Sequence, residues 1–201
     1  MRRLPLIGWG FVTALMLTQR ASATPRTPGF EFVAGAGVGE FTGDLGHFTD
    51  LGFAWGGRLG VQFVPAVGVE LGYEGINSTF SGVILPNGIP SGDFTVLQQA
   101  FSLNGRAGVP LRISDSQLYI YGLTGAGYSN IFMSQGGFLV GTSTDSAFLL
   151  PVGGGASFIF PGGFMIDGRY TYNVLSGDRS PVIKTGNSWT AALNLGARFG
   201  R

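Results

Sequence analysis

From residue 30 to the end of the chain, side chains change character at every second position, and this period of two restricts the fold more than any other feature. Trp189, Ala191, Leu193, Leu195, Ala197 and Phe199 alternate with Ser188, Thr190, Ala192, Asn194, Gly196 and Arg198. Phe164, Ile166, Gly168, Tyr170 and Tyr172 alternate with Asp167, Arg169, Thr171 and Asn173. Leu51, Phe53, Trp55, Leu59, Val61 and Phe63 stand against Gly52, Ala54, Gly56, Arg58, Gly60 and Gln62. Successive side chains of a β-strand point to opposite faces, so each run reads as a strand with one greasy face and one polar or small face. Such runs predict eight strands, near 30–39, 51–64, 66–76, 94–109, 117–128, 147–160, 163–174 and 188–199. The facing of the fifth is the least distinct.

The connections divide into two kinds. Those after the even-numbered strands are short and contain proline, as at Val64-Pro65-Ala66, the stretch from Pro110 to Asp115, and Pro161-Gly162, whereas the others are longer. Short turns at one end and long loops at the other characterise an up-and-down barrel of the bacterial outer membrane, with both termini on the periplasmic side when the strand count is even. Pairing the second and third strands across Pro65 places Phe63 against Val67, Val61 against Val69 and Leu59 against Leu71 on the greasy face. On the other face Arg58 meets Gly72, Glu70 meets Gly60, Gln62 meets Gly68 and Glu74 meets Gly56. The hairpin around Pro161 repeats the pattern, with Asp167 opposite Gly155 and Arg169 opposite Gly153. Large polar residues facing glycine fit the narrow bore of eight strands, and this accounts for 36 glycines in 201 residues without a collagen repeat.

Energy selects the inner face. A charged side chain facing lipid at the bilayer midplane costs about 2–4 kcal/mol, so Arg58, Glu70, Glu74, Arg106, Asp167, Arg169 and Arg198 are expected to form a polar network inside the lumen. Only 11% of residues are charged, too few for an ordinary water-facing surface. A soluble lipocalin-type barrel would invert the pattern and leave Trp55, Leu59, Leu71, Tyr172 and Leu193 in water. Aromatic residues on the greasy face fall at two heights. Phe32, Phe63, Tyr121, Phe158, Phe164 and Phe199 lie toward the turns, and Trp55, Tyr73, Phe148, Tyr170, Tyr172 and Trp189 toward the loops, as lipid-facing interfacial girdles. The expected fold is therefore all-β, an eight-stranded antiparallel up-and-down transmembrane β-barrel.

The N-terminus reads as an address. Arg2 and Arg3 precede an apolar stretch from Leu4 to Leu17, and Ala21-Ser22-Ala23 follows, which is the layout of a signal peptide cleaved after Ala23. The apolar stretch is shorter than the roughly 20 residues of a membrane-spanning helix. The expected organisation is a signal peptide over 1–23, a short periplasmic segment over 24–29 and the barrel over 30–201. Losing Arg2, Arg3 and Arg20 from twelve basic residues leaves nine against eleven acidic ones. The absence of any basic run argues against nucleic-acid binding.

The segment Tyr119-Ile120-Tyr121-Gly122-Leu123-Thr124-Gly125-Ala126-Gly127-Tyr128 and the closing strand from Trp189 to Phe199 resemble the small eight-stranded outer-membrane barrels typified by the OmpA transmembrane domain and OmpX. The resemblance covers Phe30 to Phe199. It implies a monomer in contact with outer-membrane lipids, whose last strand is read by the barrel-assembly machinery. In that family the strand usually ends on an aromatic residue; here Gly200 and Arg201 follow Phe199.

Chemistry is sparse. There is no cysteine, and His47 is the only histidine, lying in the first loop with Asp44 and Asp50 each three residues away. It reads as a solvated loop residue, so no catalytic residue, metal site or cofactor is expected. Loops 77–93 and 129–145 carry Val83-Ile84-Leu85, Ile89, Ile131-Phe132-Met133 and Phe138-Leu139-Val140, apolar enough to contact a surface partner, to pack on one another or to extend the strands. The expected role is structural or adhesion-like, around a lumen filled by side chains. The alternatives are a narrow channel or transporter for small or hydrophobic solutes, resembling OmpW, and a lipid-modifying enzyme using His47.

Overall fold

The computed structural model describes residues 29–43, 46, 49–80, 94–135, 138–139, 145–176 and 186–200. The predicted signal peptide with Ala23, residues 24–28, His47 and loop positions 81–93 lie outside the described residues. Eight strands form the wall: β1 (Gly29–Gly43), β2 (Gly52–Val64), β3 (Val67–Phe80), β4 (Phe94–Ile113), β5 (Ser116–Gln135), β6 (Asp145–Ile159), β7 (Phe164–Ser176) and β8 (Gly186–Phe199). Each pairs antiparallel with its neighbours in sequence, and β1 pairs with β8 from Phe30↔Phe199 to Gly43↔Gly186, which closes the cylinder. Closure leaves no open sheet edge to satisfy, the condition for strands to cross a bilayer. A two-residue strand, Phe138–Leu139, folds back on Ser134 and Gln135 at the end of β5.

Burial follows the alternation. Outward Leu59, Leu103 and Leu193 are 58%, 62% and 62% exposed, whereas inward Asp167 is 0% exposed. The wall is an apolar outer surface around a polar interior, the reverse of a water-soluble barrel.

Pairing between β2 and β3 matches the sequence expectation at Arg58↔Gly72, Leu59↔Leu71, Gly60↔Glu70, Val61↔Val69, Gln62↔Gly68 and Gly56↔Glu74. It departs only at the turn, where a bulge pairs Val64 rather than Phe63 with Val67. The β6–β7 hairpin is shifted by two residues, so that Ser157, not Gly155, faces Asp167, and Gly155, not Gly153, faces Arg169. Its turn causes the shift. The Gly163 N–H donates to the Phe160 carbonyl at 3.0 Å, Pro161 occupies the first corner, and Gly162 takes φ 93° at the second. This is a type II turn, whose second corner favours glycine, and it moves the centre of the hairpin one residue later than Pro161.

Three strands run well past their expected loop-side ends. β1 continues to Gly43, β3 to Phe80 and β5 to Gln135, with Asn77↔Leu97, Thr79↔Thr95 and Gln98↔Ile131 pairing across β4. The greasy face fades there because Asn77 and Thr79 point outward, yet backbone pairing needs no apolar face once a strand has left the membrane. A proline cannot donate to a ladder and so favours a strand's rim, yet Pro151 lies in mid-strand, pairing with Asn173 of β7. Lacking an N–H, it coincides with a break in the β5–β6 ladder between Thr124↔Val152 and Gly127↔Leu149.

Candidate functional site

The lumen gathers most of the charged side chains among the described residues. Arg58 on β2 ion-pairs with Asp167 on β7 across the bore. Asp167 also accepts from the Tyr121 hydroxyl at 2.7 Å, from Ser157 Oγ at 2.6 Å and from Asn194 Nδ2 at 3.2 Å. Nearby, Glu70 pairs with Arg169, lies 3.5 Å from Arg106 Nε and accepts from Asn104 Nδ2 at 3.2 Å. Arg106 also pairs with Glu31, which lies 3.9 Å from Arg198 Nε. The Arg106 guanidinium sits 5.2 Å from the Tyr121 ring centroid and 5.8 Å from that of Tyr119, within cation–π range. Glu74 takes neutral donors, Asn173 Nδ2 at 2.9 Å and Thr190 Oγ1 at 3.0 Å.

These contacts involve Arg58, Arg106, Arg169 and Arg198 with Glu31, Glu70, Glu74 and Asp167, four basic and four acidic side chains. Balance matters because ions removed from water are tolerable only when paired and hydrogen-bonded. Glycine makes room for the long side chains. A Cβ on Gly155 would lie 2.7 Å from the Tyr121 hydroxyl, and one on Gly72 would lie 3.1 Å from Ser102 Oγ. The space left at mid-height is a cavity of about 50 Å³, lined by Glu74, Arg58, Arg169, Asn173, Thr190 and Asn194 among others, room for a few water molecules.

Apolar side chains cluster toward both ends of the bore, the turn-end cluster lying among the charges, since Val33 pairs with Arg58. Toward the turns, Val33, Ile159 and Met165 form one cluster, and the Tyr119 hydroxyl donates to the Ala66 carbonyl at 3.0 Å. Toward the loops, Phe41, Ala54, Ile76, Val96 and Ile131 form another, with Leu175 packed against it. Among the described residues, no group of three or more acidic or histidine side chains is placed to hold a metal ion.

All seven residues expected in the lumen contribute polar contacts to this interior. Glu31 belongs with them, and its signal was available, since it lies between outward Phe30 and Phe32. Tyr121 is a correction: expected on the lipid side, it points inward, is 5% exposed and bonds Asp167. On β5 the outward set is instead Ile120, Gly122, Thr124, Ala126 and Tyr128. The inward tyrosines find polar partners for their hydroxyls, which lipid would not offer. The other aromatic residues expected in girdles lie on the outer wall. Phe32, Phe63, Phe148, Phe164, Tyr170 and Phe199 are exposed, while Trp55, Tyr73, Phe158, Tyr172 and Trp189 are half-buried. Neighbouring rings cover part of this second group: Tyr73 lies 5.0 Å from Phe101, Phe158 4.8 Å from Phe160, and Trp189 6.0 Å from Tyr170.

Residues 10–199 match the family described as outer membrane protein β-barrel domain. Among solved structures, the chain is similar to Ail, the attachment invasion locus protein of Yersinia pestis, in complex with the heparin analogue sucrose octasulfate. The TM-score is 0.56 at 21% identity, covering 86% of this chain and 99% of that one. The outer membrane protein OprG of Pseudomonas aeruginosa gives 0.55 at 15% identity, with coverage of 88% and 98%. The N-terminal β-barrel domain of Pseudomonas aeruginosa OprF gives 0.52 at 16%, with coverage of 85% and 97%. No curated protein matches the sequence. At these identities the likeness to the solved structures is one of fold.

Proposed function

This chain belongs to the outer membrane protein β-barrel domain family and resides in the bacterial outer membrane, and from that premise we propose that it works without catalysis, as a barrel with a side-chain-filled lumen that presents its loop-end segments to a partner at the cell surface. The observation that carries this reading is the paired network spanning the bore: Arg58–Asp167 links β2 to β7, Arg169–Glu70 links β7 to β3, and Arg106–Glu31 links β4 to β1. A conducting pore would need those side chains to stand apart around continuous water, whereas here they meet across the bore beside a cavity of about 50 Å³. Planar-bilayer recording of the purified barrel tests the reading. Silence is expected, and a steady open channel of porin size would replace this reading with that of a narrow transporter.

The surface partner would engage segments 77–93 and 129–145. Their described parts extend β3 and β5 past the outward Tyr73 and Tyr128, a tall base for such contacts. Deleting 81–93 and 136–144 while the barrel stays folded should abolish surface adhesion; unchanged adhesion would remove the loops from the role. The same reading has residues 1–23 removed after Ala23, leaving 24–29 on the periplasmic side, and the mass of the mature protein checks it. It also has the β8 strand engaged by the barrel-assembly machinery, the aromatic girdles contacting outer-membrane lipids, and the barrel acting as a monomer.

A further inference from the structure

We propose that the apolar ring at the loop end of the lumen is a permeability seal in its own right, lying above the ion-pair network and acting in series with it. The proposal rests on the reading of a filled lumen and adds where water from the cell surface stops.

Inward positions along the middle of the barrel are mostly polar or glycine, with Val33, Leu123 and Leu149 among the exceptions. Near the loop end they change. Six strands each place an apolar residue there, Phe41, Ala54, Ile76, Val96, Ile131 and Leu175, in one packed cluster. The change falls within one inward step on four strands: Glu74 precedes Ile76, Gln98 follows Val96, Ser129 precedes Ile131 and Asn173 precedes Leu175, each two residues away. Side chains facing a water-filled mouth would be exposed, yet Phe41, Ile76 and Val96 are at most 1% exposed. Beneath them the polar groups bond one another, Gln98 Nε2 to Ser129 Oγ at 2.9 Å and Asn173 to Glu74.

Packed apolar side chains, with no donor or acceptor of their own, have nothing to offer a hydrated ion in exchange for its water. Hydrophobic constrictions close pores by this means. The seal has a second effect. Keeping bulk water from the Glu74 tier holds the deeper ion pairs in a low-dielectric interior, where each contact is stronger.

The chain contains no cysteine, so a single introduced thiol reports on its own position. Ser129, 0% exposed beneath the ring, is changed by Ser129→Cys, and exposed Thr79 by Thr79→Cys as a positive control. Both proteins are reconstituted in phosphatidylcholine vesicles and treated from the loop side with a cationic, water-soluble methanethiosulfonate. Folding is checked by heat-modifiable gel mobility. Thr79→Cys is expected to react at once and Ser129→Cys hardly at all. Adding Phe41→Ser and Ile76→Ser should accelerate the Ser129→Cys reaction by roughly a hundredfold, the order expected when packed side chains no longer hold a local opening shut. Adding Glu70→Gln and Arg169→Gln instead should leave it slow. Ile76→Ser alone serves if the pair does not fold. Control-like labelling of Ser129→Cys with the ring intact, or no acceleration when the ring is broken, would overturn the seal. Fast labelling in a barrel that remains silent in bilayers removes only the seal, whereas conduction by the unmodified barrel removes the filled lumen itself.

Discussion

Replacing Arg58 by methionine removes one charge while keeping much of the side chain's volume. Asp167 would retain its bonds from Tyr121, Ser157 and Asn194 but lose the cation in contact with it. Stranding one member of a buried ion pair costs about 3–5 kcal/mol, and the three remaining donors put the expected loss at the lower end, about 3 kcal/mol. With a urea slope of about 3 kcal/mol/M, the unfolding midpoint of Arg58→Met should fall by about 1 M. Adding Asp167→Asn removes the stranded charge and should recover part of the loss, with a coupling energy of about 2 kcal/mol. Reversible urea unfolding in lipid vesicles, followed by tryptophan fluorescence and gel mobility, measures all four corners of the cycle. A loss below about 1 kcal/mol for Arg58→Met, with the two substitutions merely additive, would mean that the pair is solvated like a surface salt bridge. The lumen would then hold bulk water, and the filled-lumen reasoning would fail.

Other substitutions separate inside from outside. Gly155→Ala sets a methyl group 2.5 Å from the Gly168 carbonyl and 2.7 Å from the Tyr121 hydroxyl, and should cost about 1–3 kcal/mol in the same unfolding assay. Gly168→Ala, with nothing within 4 Å, should be neutral or stabilising by up to about 1 kcal/mol. Leu193→Arg, on the outer wall opposite Ala36, should cost about 2–4 kcal/mol in a bilayer, and a negligible effect would argue that this face is not in lipid. Tyr121→Phe removes a donor from buried Asp167 and should cost about 1–3 kcal/mol, whereas Tyr128→Phe on the outer wall should change stability by no more than about 0.5 kcal/mol.

Particular residues show how far the sequence can be read. Arg58, Asp167 and Arg169 sit in runs where every flanking residue agrees on parity, so their inward direction was legible. In β5 both parities are large and apolar, Tyr119, Tyr121 and Leu123 against Leu118, Ile120 and Tyr128, and alternation cannot choose between them. Hydroxyl partners made that choice: the Ala66 carbonyl for Tyr119 and the Asp167 carboxylate for Tyr121. The apolar ring was overlooked for a related reason. Ile131 reads as a greasy loop residue until β5 is known to continue past it, Phe41 falls beyond the expected end of its strand, and Ile76 reads as the end of its own.

Parity is a local property, because neighbouring peptide units alone set which way successive side chains point. Strand number, antiparallel order, the greasy outer wall and the ionic interior were therefore determined by the sequence alone. Which charge meets which was decided by the tertiary structure. Arg58 and Asp167 are 109 residues apart, and Arg106 and Glu31 are 75 apart. Their meeting depends on the registers of the hairpins summed around the closed cylinder, where a turn such as that after Phe160, centred one residue later than expected, moves every partner beyond it.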